Sequence, residues 1–243
     1  MDKKYTYEDL LGIIRMLRGE NGCPWDKAQT HESLKPCMME EAAELLASIR
    51  IYDQTGNSEN MCEELGDVLL QVVMHAQIAS EEGLFTMADV VDEVSRKMVR
   101  RHPHVFGAGE ADTPEEVLTN WEEIKRKEKK DKNWIESPLR EIPRELPALT
   151  RAPKVLKKID KYYAGGSTYE QDVDALIRSV EELRVCKPEL YSKEVERIMA
   201  DMLLKLSDIA RLTKISQEQV LTDRIEDLID RYEHSESAGS EAK

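Results

Sequence analysis

The chain has 243 residues, of which 40% are hydrophobic, and a formal net charge of −14. This length predicts one or two domains with a hydrophobic core, and the strong negative charge disfavours nucleic acid or an anionic membrane as a partner. The sequence has no apolar signal segment, no run long enough to cross a membrane and no C-x-x-C pair among its four cysteines, so we expect a soluble cytoplasmic protein with reduced thiols.

Apolar residues recur at helical spacing in nearly every segment of the chain. The composition is rich in Leu, Ile, Val, Met and Ala and holds only 2 Phe, which favours helices over strands. We therefore predict an all-α helical bundle. The first half is predicted to hold five helices, at about 5–18, 36–52, 58–82, 86–102 and 113–130, with a loop at 19–26 where glycines and a proline cluster.

Three prolines fall between residues 131 and 147, and this stretch is predicted to be a linker that leads into a short helix, so that 131–165 separates two units. Three further helices are predicted at about 169–186, 192–212 and 216–234, and the polar tail 235–243 is predicted to be disordered. The segment 199–204 aligns with 65–70, and the second half therefore reads as a weak repeat of the first.

Two acidic clusters lie on neighbouring predicted helices. Their members are Glu40, Glu41, Glu44, Glu63, Glu64 and Asp67. Residues three apart share a face of a helix, so the pairs at 41/44 and 64/67 each point in one direction, beside apolar residues that should face a core. Crowded carboxylates repel one another unless a cation lies between them, and Mg²⁺ prefers oxygen ligands. The alternative is a solvated acidic face, because 49 residues of the chain are Asp or Glu.

A basic group forms the second signal. Lys97, Arg100 and Arg101 lie at one predicted helix end, and Lys125 follows Trp121 by four residues. Such side chains can bind phosphate oxygens and stabilise developing negative charge. The alternative is a favourable interaction of cations with the end of the helix dipole.

Two isolated residues each allow two interpretations. His75 lies on the same predicted helix as Glu64 and could approach the acids, but a histidine satisfied within the core is the more common case. Trp25 could stack on a nucleobase, or it could fix its loop against the bundle.

Together these motifs resemble the MazG family of nucleoside triphosphate pyrophosphohydrolases. The family hallmark is E-E-x-x-E followed by E-x-x-D, and here it reads Glu40-Glu41-x-x-Glu44 and then Glu64-Leu65-Gly66-Asp67. The segments 21–27, 100–106 and 121–125 also follow the family pattern, so the resemblance extends from residue 7 to about residue 130. Finding all these blocks in order is far more specific than the acidic motif alone.

The resemblance implies an all-α MazG-like fold, often present as two domains in tandem. It also implies nucleotide-pool house-cleaning, in which a nucleoside triphosphate is converted to the monophosphate and pyrophosphate with Mg²⁺, or with Mn²⁺ in its place. Water would attack the α-phosphorus. By position, it assigns metal-ligand roles to Glu41, Glu44, Glu64 and Asp67, catalytic roles to Glu40 and Glu41, and nucleotide contacts to Lys97, Arg100, Arg101, Trp121 and Lys125.

The second half departs from this pattern. In the alignment of the two halves, Ser179 and Ile198 replace Glu41 and Glu64, so two of the four ligands are missing. We therefore predict a catalytic domain at 1–130 and a catalytically dead, degenerate domain at 166–234 that serves packing, dimerisation or regulation. Helical hydrolases of this sort usually complete their bundle with a partner unit. The sequence leaves open whether that unit is the second half, another subunit or both, and a homodimer is expected.

The main alternative is a non-enzymatic helical interaction or regulatory protein with a vestigial acidic site. A di-iron carboxylate bundle is rejected, because no histidine in the chain has a glutamate three residues before it. A phosphate-binding-loop enzyme is disfavoured, because the chain has no G-x-x-x-x-G-K-[ST] run.

Overall fold

The computed structural model describes residues 3–128, 137–186 and 192–240. Within these ranges the chain forms eleven helices and no strand, which confirms the prediction of an all-α protein. None of the helices described combines the length and the apolar character that crossing a bilayer requires. The helices are α1 (Tyr7–Arg18), α2 (Pro24–Ala28), α3 (Lys35–Thr55), α4 (Glu59–Glu81), α5 (Met87–Arg101), α6 (Pro103–Phe106), α7 (Pro114–Glu128), α8 (Ala148–Tyr163), α9 (Tyr169–Val185), α10 (Lys193–Thr213) and α11 (Gln217–Ser240).

The chain divides into two compact units, which we call unit 1 (residues 1–129) and unit 2 (residues 130–243). Unit 1 holds α1 to α7, and unit 2 holds α8 to α11. The catalytic and degenerate roles assigned from the sequence stay predictions. Residues 131–136 of the predicted linker and 241–243 of the predicted tail lie outside the described residues.

Unit 1 is built around α4, which packs against α1, α3 and α5. Its residues Val73, Met74 and Ile78 are buried together with Ile14 of α1 and Leu34 at the start of α3. Positions 74 and 78 are one helical turn apart, so they share the face that the core covers. Because α3 and α4 are neighbours, their acidic clusters come to adjoining surfaces.

The predicted loop at 19–26 is wrong in part, because α2 begins within it at Pro24, a proline at the first helical position. Just before α2, the backbone at Gly22 lies against the end of α1. A Cβ atom on Gly22 would lie 2.1 Å from the carbonyl oxygen of Leu17, so only glycine fits there. Arg18 then holds the segment by donating to both carboxylate oxygens of Glu81 and to the carbonyl oxygens of Asp26 and Gln29.

Unit 2 is built around α10, which packs against α8 and α9. Its buried residues include two carboxylates, Asp172 and Asp208, and Ser167 Oγ lies 2.7 Å from an oxygen of each. Lys205 and Arg211 supply the positive charge, each within ion-pair distance of one of these carboxylates. Burial of charge is tolerated here because each carboxylate has a cation beside it.

The predicted end of the last helix is also wrong. The sequence predicts that this helix ends at about residue 234, whereas α11 continues to Ser240; the disorder predicted for the tail stays a prediction. No proline interrupts this segment and its first glycine is Gly239, so each added residue extends the hydrogen-bonded helix.

The two units share helix order and one turn. In both, a central helix packs against two earlier long helices, α1 and α3 in unit 1 and α8 and α9 in unit 2. The central helix then ends on a left-handed residue, Gly83 with φ +71° or Lys214 with φ +58°. The next amide donates back over the turn at 2.9 Å in each case, from Leu84 to Ala79 and from Ile215 to Ala210, as in a Schellman motif.

Candidate metal and nucleotide site

Three of the four predicted metal ligands meet between α3 and α4. Glu41 on α3 and Glu64 and Asp67 on α4 each offer one carboxylate oxygen, and these three oxygens lie within 4.8 Å of one another. Two oxygens on opposite sides of Mg²⁺ lie about 4.2 Å apart, so small side-chain rotations bring the three within bonding reach of one ion.

Glu44, the fourth predicted ligand, is exposed and lies outside this group of three. Its carboxyl nevertheless interacts electrostatically with these acids. The negative charge of Glu64 raises the pKa of Glu44, and desolvation raises it further. Glu41, Glu40 and Asp67 act in the same direction. The site is therefore a region of concentrated negative charge that a cation would relieve.

Glu64 gives the clearest indication that the group fits a cation. Its Oε1 accepts a 2.8 Å hydrogen bond from Asn60 Nδ2, whereas its Oε2 is buried and has no partner among the described residues. A buried carboxylate oxygen without a partner is costly, and native structures seldom leave one. A hard divalent cation is the partner that this set of oxygen ligands suits.

Two amide side chains beside the acids were not found from the sequence. Asn60 precedes Glu64 by four residues, and Gln71 follows Asp67 by four. Gln71 Nε2 donates to Glu41 Oε1 at 3.4 Å, across the interface of the two helices. The sequence did contain a signal for Gln71, because it is a polar residue inside the apolar run that follows the second acidic cluster.

The remaining acids and the glycine of the motif are open to solvent. Glu40 and Glu63 are exposed, and no hydrogen bond or ion pair joins Glu40 to another described residue. Gly66 lies in α4 between Glu64 and Asp67, and a Cβ atom built on it would have no other atom within 4 Å. The surface beside Asp67 therefore has free space.

Three of the five predicted nucleotide contacts are linked in one cluster where α5 packs on α7. Arg100 Nε donates to Glu128 Oε1 at 2.7 Å, and Arg101 Nε donates to Glu128 Oε2 at 3.1 Å. The two guanidinium groups hold the pKa of Glu128 at about 2. Arg101 also lies over the Trp121 ring, 5.2 Å from its centroid.

The Trp121 ring is therefore occupied on one side, and His102 makes an edge contact with it at 5.0 Å. His102 Nδ1 lies 2.7 Å from the carbonyl oxygen of Met98, so this histidine holds the end of α5. Sequence reasoning missed Glu128, because the arginines that it binds are 27 and 28 residues away.

The two predicted lysine contacts differ from the arginines. Lys97 is half-buried on α5 and Lys125 is exposed on α7. Within the described ranges, neither lysine has an acidic partner. Both are thus positive groups that a phosphate can reach without displacing a carboxylate.

Trp25 is 63% exposed, which contradicts the interpretation that it fixes its loop against the bundle.

His75 stacks on His31 with ring centroids 5.1 Å apart. Their Nδ1 atoms are 2.8 Å apart, so one ring donates a hydrogen bond and the other accepts it. Burial, and then the charge of His31, lowers the pKa of His75. His75 therefore has His31 as its partner within the bundle, as the interpretation of a satisfied histidine predicts.

Comparison with known proteins identifies the family. Residues 29–106 match the family model described as the MazG nucleotide pyrophosphohydrolase domain. The chain is 37% identical over 230 residues to the nucleoside triphosphate pyrophosphohydrolase/pyrophosphatase MazG of Thermotoga maritima, covering 95% of this chain and 85% of that protein. The chain belongs to the MazG family.

Two other relatives match most of this chain. The nucleoside triphosphate pyrophosphohydrolase of Escherichia coli K12 is 39% identical over 205 residues, which cover 83% of this chain and 76% of that protein. The uncharacterized protein YabN of Bacillus subtilis strain 168 is 41% identical over 239 residues, but the chain spans only 47% of its length. The expected resemblance to MazG enzymes and the expectation of a hydrolase acting on nucleoside triphosphates are confirmed at the level of the family.

Proposed function

We propose that unit 1 hydrolyses nucleoside triphosphates to the monophosphate and pyrophosphate, in a reaction that requires Mg²⁺ and accepts Mn²⁺ in its place. The observation that carries this proposal is the meeting of Glu41, Glu64 and Asp67, with a buried oxygen of Glu64 left without a partner. Family membership supplies the reaction class, because the relatives from T. maritima and E. coli are named for it.

In this proposal Glu41, Glu64 and Asp67 hold the cation, and Glu44 completes the set from the adjoining turn of α3. When bound, Mg²⁺ supplies a water molecule of lowered pKa and neutralises phosphate oxygens. Glu40 is the proposed acceptor of the proton that the attacking water loses. It is exposed one residue before Glu41 and has no described partner that would hold it elsewhere.

The basic residues of α5 and α7 would receive the triphosphate. Lys97 and Lys125 are available at once, whereas Arg100 and Arg101 must share or leave Glu128. Trp121 holds the guanidinium group of Arg101 in place. Trp25, which is exposed, is the proposed stacking surface for the base.

Unit 2 is proposed to lack this activity. Its two retained acids, Glu182 and Asp201, both bind Arg197, at 3.1 Å and 3.0 Å. A guanidinium group between two carboxylates binds their oxygens and offsets one of the two negative charges, which weakens the attraction for a divalent cation. We propose that unit 2 serves packing, including the packing of the homodimer expected from the sequence. The cytoplasm stays the expected compartment of the protein.

The decisive experiment follows the phosphate products. The full chain is incubated with common and damaged nucleoside triphosphates and Mg²⁺ in ¹⁸O-labelled water, and the products are analysed by mass spectrometry. We expect equal amounts of monophosphate and pyrophosphate, with the label in the monophosphate, because water attacks the α-phosphorus. Chelation of the metal should abolish turnover.

Three outcomes would contradict the proposal. Release of orthophosphate would mean that a different bond is cleaved. Label in the pyrophosphate would place the attack on the β-phosphorus. Turnover that survives chelation would remove the need for a cation at the acidic group.

A further inference from the structure

The carboxylates of Glu41 and Glu64 each receive a hydrogen bond from an amide side chain of α4. Asn60 Nδ2 donates to Glu64 Oε1 at 2.8 Å, and Gln71 Nε2 donates to Glu41 Oε1 at 3.4 Å. In both cases the bond takes one oxygen of the carboxylate and leaves the other. The oxygen left on Glu64 is the buried one that has no partner among the described residues.

Gln71 is placed too deeply for a surface role. It is 6% exposed and lies among the buried apolar residues of α4. Burying an amide inside a core costs free energy unless its polar atoms are used. Its Nε2 has one acceptor, Glu41, and its Oε1 has no described partner, so Glu41 is the contact that accounts for a glutamine at this position.

The orientation of the Gln71 amide follows from charge. Turning the group over would point its oxygen at the carboxylate of Glu41, and two acceptors would face each other. The donor therefore faces Glu41, and the acceptor Oε1 is held nearby. This fixes one oxygen of Glu41 across the interface between α3 and α4.

The neutrality of these donors matters as much as their position. A lysine or arginine would also orient a carboxylate, but it would cancel the negative charge that a cation needs. Unit 2 shows that case, since Arg197 binds both Glu182 and Asp201. An amide fixes the geometry of the carboxylate and leaves its charge in place.

We propose that Asn60 and Gln71 are positioning residues, which orient Glu64 and Glu41 so that one oxygen of each is presented to a divalent cation. The proposal rests on the cation site of the proposed function and names two residues that act on it through the ligands. Hydrogen bonds of this kind fix ligand orientation, and their loss weakens metal binding by about 10- to 100-fold.

Mn²⁺ binding without substrate provides the test. The ion is titrated into the wild-type chain and into Gln71→Met and Asn60→Leu, and free Mn²⁺ is measured by electron paramagnetic resonance. Methionine and leucine keep the side-chain volume and remove the donor. We expect about tenfold weaker binding in each variant, with an unchanged thermal midpoint of the metal-free chain as evidence that the fold is intact.

Gln77→Met is the matched control. Gln77 lies on the same helix and also donates to a glutamate, Glu81, at 2.9 Å, away from the site. Its replacement should leave Mn²⁺ affinity unchanged. If Gln71→Met does not fold, Gln71→Asn keeps a polar side chain but withdraws the donor by one methylene, and the same weakening is expected.

A double variant tests whether Gln71 acts through Glu41. In a Glu41→Gln background, adding Gln71→Met should weaken Mn²⁺ binding no further, because the carboxylate it orients is gone. If Gln71→Met weakens Mn²⁺ binding in the Glu41→Gln background as much as it does in the wild-type chain, Gln71 does not act through Glu41. Mn²⁺ affinity equal to wild type in both Gln71→Met and Asn60→Leu would overturn the inference while leaving the proposed function intact. A wild-type chain that takes up no Mn²⁺ would overturn both.

Discussion

The corresponding helix pairs of the two units, α3 and α4 in unit 1 and α9 and α10 in unit 2, differ in charge. At the five aligned positions, unit 1 has five acids, whereas unit 2 has Ser179, Glu182, Arg197, Ile198 and Asp201, a formal charge of −5 against −1. Arg197 stands where unit 1 has Glu63, and it binds both remaining acids. One arginine and two lost carboxylates thus remove most of the negative charge at these positions, while the helix pair itself is kept.

Unit 2 buries two other carboxylates. Asp172 and Asp208 are buried beside Ser167, Lys205 and Arg211, and they join the start of α9 to α10. In unit 1 the acids lie at a half-buried surface and their neighbours are amides. The buried acids of unit 2 therefore contribute to packing, whereas Glu41, Glu64 and Asp67 of unit 1 form a candidate site.

The largest expected effect separates the two units directly. Glu41→Gln should lower the rate of pyrophosphate release by about three orders of magnitude, because a lost ligand forfeits several kcal/mol of transition-state stabilisation. Asp201→Asn is the matched change in unit 2 and should leave the rate near wild type. Full Mg²⁺-dependent activity in Glu41→Gln, together with loss in Asp201→Asn, would reverse the assignment of the units.

A second prediction transfers the arginine of unit 2 to unit 1. Glu63→Arg places a guanidinium four residues before Asp67, as Arg197 stands before Asp201. We expect the Mg²⁺ concentration for half-maximal activity to rise about tenfold, equivalent to ~1.4 kcal/mol, within the range of a charge-assisted hydrogen bond. Glu63→Gln is the control and should shift it far less. Identical Mg²⁺ dependence in Glu63→Arg would show that the arginine alone does not neutralise such a site.

A third prediction concerns the buried carboxylates of unit 2. Ser167→Ala removes the hydroxyl that lies 2.7 Å from both Asp172 and Asp208. The free energy of unfolding should fall by about 1–3 kcal/mol, because the buried carboxylate that accepts the single hydroxyl proton loses this hydrogen bond. Urea denaturation measures this, with the exposed Ser80→Ala as control. Pyrophosphate release at moderate temperature should be unchanged, and a large loss of turnover in a folded Ser167→Ala chain would give unit 2 a part in catalysis.

The smallest effect is a pH dependence in unit 1. The folded-state pKa of Glu128 is about 2, below its ordinary value of 4.5, so its ionised form favours the folded state. This contribution to stability is fully present above pH 4.5 and is lost as the pH falls from 4.5 through 2. Glu128→Gln should therefore destabilise the chain at pH 6 and lose that effect near pH 2, as measured by urea denaturation.

The exposed Glu122→Gln on the same helix is the control for that measurement. A difference between Glu128→Gln and wild type that stays constant down to pH 2 would mean that the ion pairs with Arg100 and Arg101 contribute nothing to stability. Unit 2 keeps one of these two arginines in the alignment, since Arg231 aligns with Arg101 and Asp230 replaces Arg100.

Periodic features were predictable from the sequence, and contacts between distant residues were not. The three-residue spacing of Glu64 and Asp67 predicted that both lie on one face of a helix. The short turn at 56–58, which joins α3 to α4, predicted that these two helices are neighbours. The bonds from Gln71 to Glu41 and from Arg100 to Glu128 depend on how helices pack, which spacing within one helix does not determine. The short helix α2 was missed because Gly22 and Pro24 indicate a turn as readily as a helix start.

Gly66 lowers the helix stability of unit 1 at its candidate site. A glycine inside a helix costs roughly 0.5–1 kcal/mol relative to alanine, and neither the backbone nor any neighbouring atom requires one here. Unit 2 has Ala200 at the aligned position, so the helix accepts a methyl group where no site is proposed. Under the proposed function, this position is one where unit 1 exchanges helix stability for activity, and unit 2 of the same chain carries the alternative residue.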